Sequence, residues 1–185
     1  MDLLSASAQL KLGFLAVLEE PAGYLGGYLV TNAWARPLEF RVSNPVLASR
    51  LQQILYGHTL RSYVFADLIG KTLVDRSVTQ AQIIVTDSRP VLDLQRSIQL
   101  PVVWLAAGDN STDTSPPLES AKLEAPVTSL TKGILYCHPE FLADKPAVCK
   151  LLERLPDSFD LAEPFVRIRE AIGEARKVGA THRAA

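Results

Sequence analysis

Ala81-Gln-Ile-Ile-Val-Thr-Asp87, Val91-Leu-Asp-Leu-Gln-Arg-Ser-Ile98 and Pro101-Val-Val-Trp-Leu-Ala106 decide how the rest of the chain is read. The first and third are short apolar runs rich in β-branched residues. The first is stopped by Asp-Ser-Arg-Pro. The middle one has the pattern of a short helix. Strand, short helix and strand with tight connections make a parallel crossover, because parallel neighbours cannot be joined by a hairpin. Such strands are covered on both faces and lose their polar alternation. These two have lost it.

Upstream, Leu10-Lys-Leu-Gly-Phe-Leu-Ala-Val-Leu-Glu19, Gly27-Tyr-Leu-Val-Thr-Asn32 and Leu38-Glu-Phe-Arg-Val-Ser43 read as an antiparallel meander. The turns between them are Glu-Glu-Pro-Ala-Gly and Ala-Trp-Ala-Arg-Pro. On the third strand Leu38, Phe40 and Val42 share one face, and Glu39, Arg41 and Ser43 share a wet one. A helical pattern follows from Ser43-Asn-Pro-Val to about residue 75, with Leu51, Ile54, Leu55, Leu60, Tyr63, Val64 and Leu68 at helical spacing. Gly57 is expected to break or bend it.

Downstream, residues 108–126 are polar and marked by prolines, which predicts a long surface loop. Ser129 to Cys137 reads as one more strand. Lys145 to Leu155 reads as a helix capped by Asp144 with Pro146 in its first turn. Asp160 and Glu163 have capping-box spacing. They open a helix with Leu161, Phe165, Ile168, Ile172 and Ala175 on one stripe. Lys177-Val-Gly179 is expected to end it.

The sum is an α/β fold: a three-strand antiparallel meander plus parallel crossover strands in one mixed sheet, with a C-terminal helical extension. The expected parts are an α/β core over residues 1–107, the polar loop 108–126, and a segment 127–185 packed on the same domain. The order β-β-β-α-β-α-β over roughly residues 10–106 resembles the ribonuclease H-like fold. That resemblance rests on topology; no family motif carries it.

At 185 residues, with 48% hydrophobic and 21% charged residues, the chain can bury a core without disulfide or metal staples. Its formal net charge of -1 and lack of Lys/Arg runs make nucleic acid an unexpected partner. Two cysteines, no basic leader and no long apolar stretch predict a cytoplasmic protein with reduced thiols and no membrane span.

The candidate chemistry is sparse. Gly70-Lys71-Thr72 has the tail of a phosphate loop, but Phe65 stands where the first glycine is needed and no strand precedes it. The reading is a glycine that lets a helix pack closely and a solvated lysine. The ribonuclease H-like resemblance implies a nuclease with carboxylates from the first strand, the first helix and the end of the fourth strand. Those positions are Glu19, Asp67 and Asp87, which would hold Mg²⁺ or Mn²⁺. The pattern wants an aspartate within the first strand, where Ala16-Val-Leu18 stands. Otherwise no cofactor is expected.

Glu39-Phe-Arg41 resembles the acidic pattern of restriction endonucleases, with arginine for lysine and Asn32 where an aspartate belongs; an ion pair is the ordinary reading. Cys137-His138 with Cys149 and His58 does not complete a zinc set, and strand neighbours such as Cys137 and His138 point to opposite faces. Buried thiols are the expectation. Trp34 on its turn, with Phe165, Ile168 and Ile172 on the last helix, are candidate partner contacts. With no catalytic set assembled, the sequence reads as a non-catalytic protein-interaction or scaffold module that pairs with a protein partner or a second copy. The alternatives are a divalent-metal nuclease using Glu19, Asp67 and Asp87, and a small-molecule sensor using the Asp87–Pro90 edge under the 108–126 loop.

Overall fold

In the computed structural model, which describes residues 9–107, 122–123 and 133–183 with side chains to residue 177, a six-stranded sheet runs in the order β3-β2-β1-β4-β5-β6. The strands are β1 (Lys11–Glu20), β2 (Gly23–Asn32), β3 (Pro37–Val42), β4 (Ile83–Thr86), β5 (Val102–Ala107) and β6 (Gly133–Cys137). β1, β2 and β3 are the expected antiparallel meander. β4 lies parallel to β1, and β5 parallel to β4. β6 closes the other side antiparallel to β5. Three antiparallel strands followed by two parallel ones is the succession expected from the sequence.

The alternation of β1 and β4 divides the core in two. Leu12, Phe14 and Ala16 with Ile83 and Val85 face one side, and Leu15, Val17 and Ile84 the other. The second side is covered by a helical run over residues 57–75, here α2. It passes from a 3-10 turn into α, a π-helical stretch Tyr63–Gly70, and α again. A 3-10 helix Arg89–Arg96 beside it is the crossover from β4 to β5. The first side is covered by α3 (Lys145–Leu152) and α4 (Glu163–Arg183).

Gly26 and Gly27 on β2 let helices approach from both faces. A Cβ on Gly27 would stand 2.5 Å from Ile168 Cγ2, and one on Gly26 would overlap Ile69.

Several local expectations are corrected. A short helix α1 (Arg50–Tyr56) starts only at Ser49, whose side chain and Gln52 form a reciprocal cap. It ends at Gly57, which takes φ +51°. α1 buries none of its residues, so Leu51, Ile54 and Leu55 stand exposed and are not core. On β3 the apolar residues Leu38, Phe40 and Val42 are the more exposed set. β3 is the edge strand, and α4 packs on β1 and β2 short of it. Asp144 precedes α3 but its carboxylate accepts from Gln95 Nε2 at 2.6 Å instead of capping. α4 runs through Gly179 to Arg183, and Ala175 is on its exposed face. Of the expected polar loop only Lys122 and Leu123 are described. Lys122 bridges to Tyr136, and Leu123 is buried. Among the described residues no helix is long and apolar enough to cross a membrane.

Candidate functional site

Parallel strands leave a polar edge where their C-terminal ends meet the following loops, the usual ligand edge of such a sheet. Here β1 and β4 are paired as far as Leu15 and Thr86. One step further come Ala16 and Asp87. Ala16 is fully buried, so the strand beside Asp87 offers a methyl group at the level where a second carboxylate would have to stand. Asp87 is bonded to Arg169 of α4. Burial pushes its carboxyl up, and the Arg169 guanidinium opposes that. Further along β1, Leu18 leans on the same core and Glu20 binds Arg176 of α4 at 2.5 Å.

The other two members of the expected trio go elsewhere. Glu19 is exposed and 3.7 Å from Arg61. Asp67 sits on the outer side of α2 and accepts from Ser97 Oγ at 3.1 Å. Each of the three carboxylates therefore has a different partner. Among the described residues no three His, Cys, Asp or Glu side chains gather as a metal site. Glu19, Asp67 and Asp87 therefore do not form the three-carboxylate, two-metal centre the resemblance implied.

The remaining motifs resolve into structure. Gly70 packs against Leu15 and Leu94, and Lys71 pairs with Asp75 at 2.6 Å, so Gly70-Lys71-Thr72 is helix packing. Glu39 accepts from Arg41 Nε, Ser77 Oγ and the backbone N–H groups of Val78 and Thr79. Burial alone would raise its carboxyl, but these bonds outweigh it and hold it at about 2. A carboxylate so occupied is a staple between β3 and the loop after α2. Asn32 accepts from the backbone of Trp34 and Arg36 and shapes their turn. Cys137 and Cys149 are unpaired to each other, and burial pushes the Cys137 thiol up to about 11, which leaves it inert near neutrality. Phe165, Ile168 and Ile172 are buried in the chain's own core. They are no partner surface, because α4 docks on its own sheet. Trp34 stays half exposed on its turn.

What sequence spacing did not single out is a cleft of about 420 Å³ on the α2 side, lined among others by His58, Arg61, Arg89, Asp93, Arg96 and His138. Its acids are already matched. Glu140 takes two hydrogen bonds from Arg96, at 2.6 and 3.1 Å. Asp93 receives His138 Nε2 at 3.1 Å, while His138 Nδ1 accepts the Glu140 N–H. His138 is therefore oriented and committed at both nitrogens. Arg89 has no carboxylate partner among the described residues, and Arg61 has only the exposed Glu19 at 3.7 Å. They stand 28 residues apart in the chain and carry no common motif.

No protein family and no curated protein matches the sequence. Among solved structures the chain is similar to endonuclease V of Ciona intestinalis in complex with a 23mer DNA containing an inosine followed by a ribo-adenosine. That likeness has 10% identity, covers 89% of this chain and 86% of that one, and gives a TM-score of 0.49. A second structure of the Ciona protein, with a 24mer DNA, gives 10%, 90%, 87% and 0.46 in the same order. Endonuclease V from Bacillus subtilis gives 12%, 95%, 86% and 0.44.

Two sequence expectations are corrected here. The non-catalytic, self-associating interaction or scaffold module loses its proposed contact face on the last helix to the core. The ground for leaving nucleic acid out is corrected too: the arginines that composition shows as scattered, Arg61, Arg89 and Arg96, line one cleft.

Proposed function

We propose that the protein binds nucleic acid through backbone phosphates at the Arg61–Arg89–Arg96 cleft. The observation that carries this reading is the gathering of Arg61, Arg89 and Arg96 at one cleft, where Arg89 has no carboxylate partner among the described residues and Arg61 has only the exposed Glu19 at 3.7 Å. Phosphate is the anion that planar, permanently charged guanidinium groups suit. Contacts of this kind position a nucleic acid without reading its sequence.

The test is fluorescence anisotropy with single- and double-stranded oligonucleotides at two salt concentrations. Arg61→Ala and Arg89→Ala should each weaken binding several-fold and lower the salt slope by about 1. Binding that neither variant alters removes the cleft from the function.

Hydrolysis is a second reading, favoured by the position of Asp87 at the end of β4. Cleavage in Mg²⁺ or Mn²⁺ that Asp87→Asn abolishes would establish it. Intact oligonucleotide under the same conditions would leave binding alone.

A further inference from the structure

Resting on the phosphate-binding reading, we infer that the cleft takes a single strand, with an unpaired base stacked on Tyr56 beside the arginines. Two pairs of aromatic rings carry this. Tyr56, the last residue of α1, is stacked on Tyr63 of α2, with ring centres 4.1 Å apart and planes 17° from parallel. Trp104 of β5 is stacked on Tyr136 of β6, with ring centres 5.2 Å apart. All four side chains are half-buried.

Both pairs border the cleft. His58 and Arg61, which line it, stand between Tyr56 and Tyr63 in the chain. Asp67, four residues on from Tyr63, accepts from Ser97 Oγ, and Ser97 is the neighbour of Arg96. The tyrosine pair therefore flanks the walls that carry Arg61 and Arg96. Arg89, on the crossover helix, lies over the Trp104 ring, 5.9 Å from its centre. A basic cleft with rings at its margins suits single strands: the cations follow the phosphates and the aromatic faces take bases.

Tyr56 is the ring with a face to give. α1 buries none of its residues and Tyr63 covers one face of Tyr56, so what remains exposed of the ring is the side away from Tyr63. Trp104 differs, because Arg89 and Tyr136 both lie on it. In a duplex each base is already stacked above and below. An unpaired base has a face free for Tyr56, and stacking tolerates any base, since every base has a π-face. The strand is thereby selected by its pairing state and not by its sequence.

The experiment measures the affinity of the full chain, at one salt concentration, for three labelled probes of equal length: a single strand, the duplex of the same sequence, and a single strand whose bases are replaced by abasic sites. The intact single strand should bind about tenfold tighter than either of the others, the yield of one stacked base. Tyr56→Ala should remove that margin and leave the duplex and abasic probes where they were. Tyr56→Phe and Tyr56→Trp should keep it. Arg89→Ala should weaken all three probes alike. Trp34→Ala, on the turn at the opposite end of the sheet, should change none of them. Unfolding midpoints of all variants check that they are folded.

Equal affinity for the intact and abasic strands overturns this inference, leaves phosphate binding standing and reduces the tyrosine pair to a pin between α1 and α2. A duplex bound as tightly as the single strand overturns selection by pairing state. A margin that survives in Tyr56→Ala overturns the assignment to this ring. Failure of every probe to bind overturns both readings together.

Discussion

Glu39 shows how a residue's role is set by partners far along the chain. Its four donors come from Arg41 and from Ser77, Val78 and Thr79. Charge-assisted hydrogen bonds of this kind are worth roughly 1.5–3 kcal/mol each when a partner is lost. Glu39→Gln keeps the shape and removes the charge, and should cost roughly 2 kcal/mol near neutral pH by chemical denaturation. The sign of the pH dependence follows from the direction of the shift. The folded carboxyl is held at about 2, below its unfolded value. Its contribution is complete above the unfolded value of about 4.3 and fades as pH falls toward 2. The gap between wild type and Glu39→Gln should therefore narrow across that window. A gap that stays constant down to the acid end would show that charge is not what the staple uses. Only the ion pair with Arg41 was legible from Glu39-Phe-Arg41, since the other three donors lie 38 to 40 residues away. The cleft was hidden for the same reason. Arg61, Arg89 and Arg96 look isolated in sequence and become a group only when α2 and the 89–96 helix pack together.

At the scale of elements, strand identity and order were readable because each strand carries its own signal. β4 and β5 are unbroken apolar runs, and a buried parallel pair requires them. Which face of β3 is covered was not readable. Alternation says that two faces differ, while the reach of α4 across the sheet decides which is wet. Helix type was also beyond the pattern, because 3-10, α and π turns in residues 57–75 share the same apolar spacing. How closely helices sit on the sheet is governed by Gly26 and Gly27. A side chain at residue 27 meets Ile168 and Ile172 at 2.5 and 2.9 Å. Overpacking of this kind costs about 1–3 kcal/mol, so Gly27→Ala should lower stability by that amount and Gly27→Val by more. Gly173→Ala on α4 is the control. Nothing lies within 4 Å of its would-be Cβ, and helix propensity favours alanine by about 1 kcal/mol. Urea unfolding of the two alanine variants should move in opposite directions. Similar shifts for both would mean that α4 yields without cost and that the glycine is not what sets the contact.

Across the whole molecule, the question is whether α4 is an appendage or part of the core. Its sequence position after Leu155-Pro-Asp-Ser-Phe-Asp160 has the look of a hinge, and its ion pairs with Asp87 and Glu20 invite the idea of a releasable clamp. Magnitudes decide against that. Both arginines are about half exposed, and exposed pairs contribute about 0–1 kcal/mol. Phe165, Ile168 and Ile172 are 3%, 0% and 1% exposed. Burying three such side chains contributes roughly 5–9 kcal/mol at 1.5–3 each, comparable with the entire net stability of about 5–15 kcal/mol for a domain. Phe14 of β1 touches both Phe159 and Phe165, with ring centres 6.3 and 5.6 Å away, so removing α4 also opens the central strand. Deletion of residues 163–185 should therefore abolish the cooperative unfolding transition rather than free an active edge. Arg169→Ala combined with Arg176→Ala should stay folded, within about 2 kcal/mol of wild type, and Phe165→Ala alone should cost about 3–5 kcal/mol. A truncated chain that still unfolds in one sharp transition would reverse the assignment. It would make α4 a detachable cover and Asp87 a carboxylate that the helix releases.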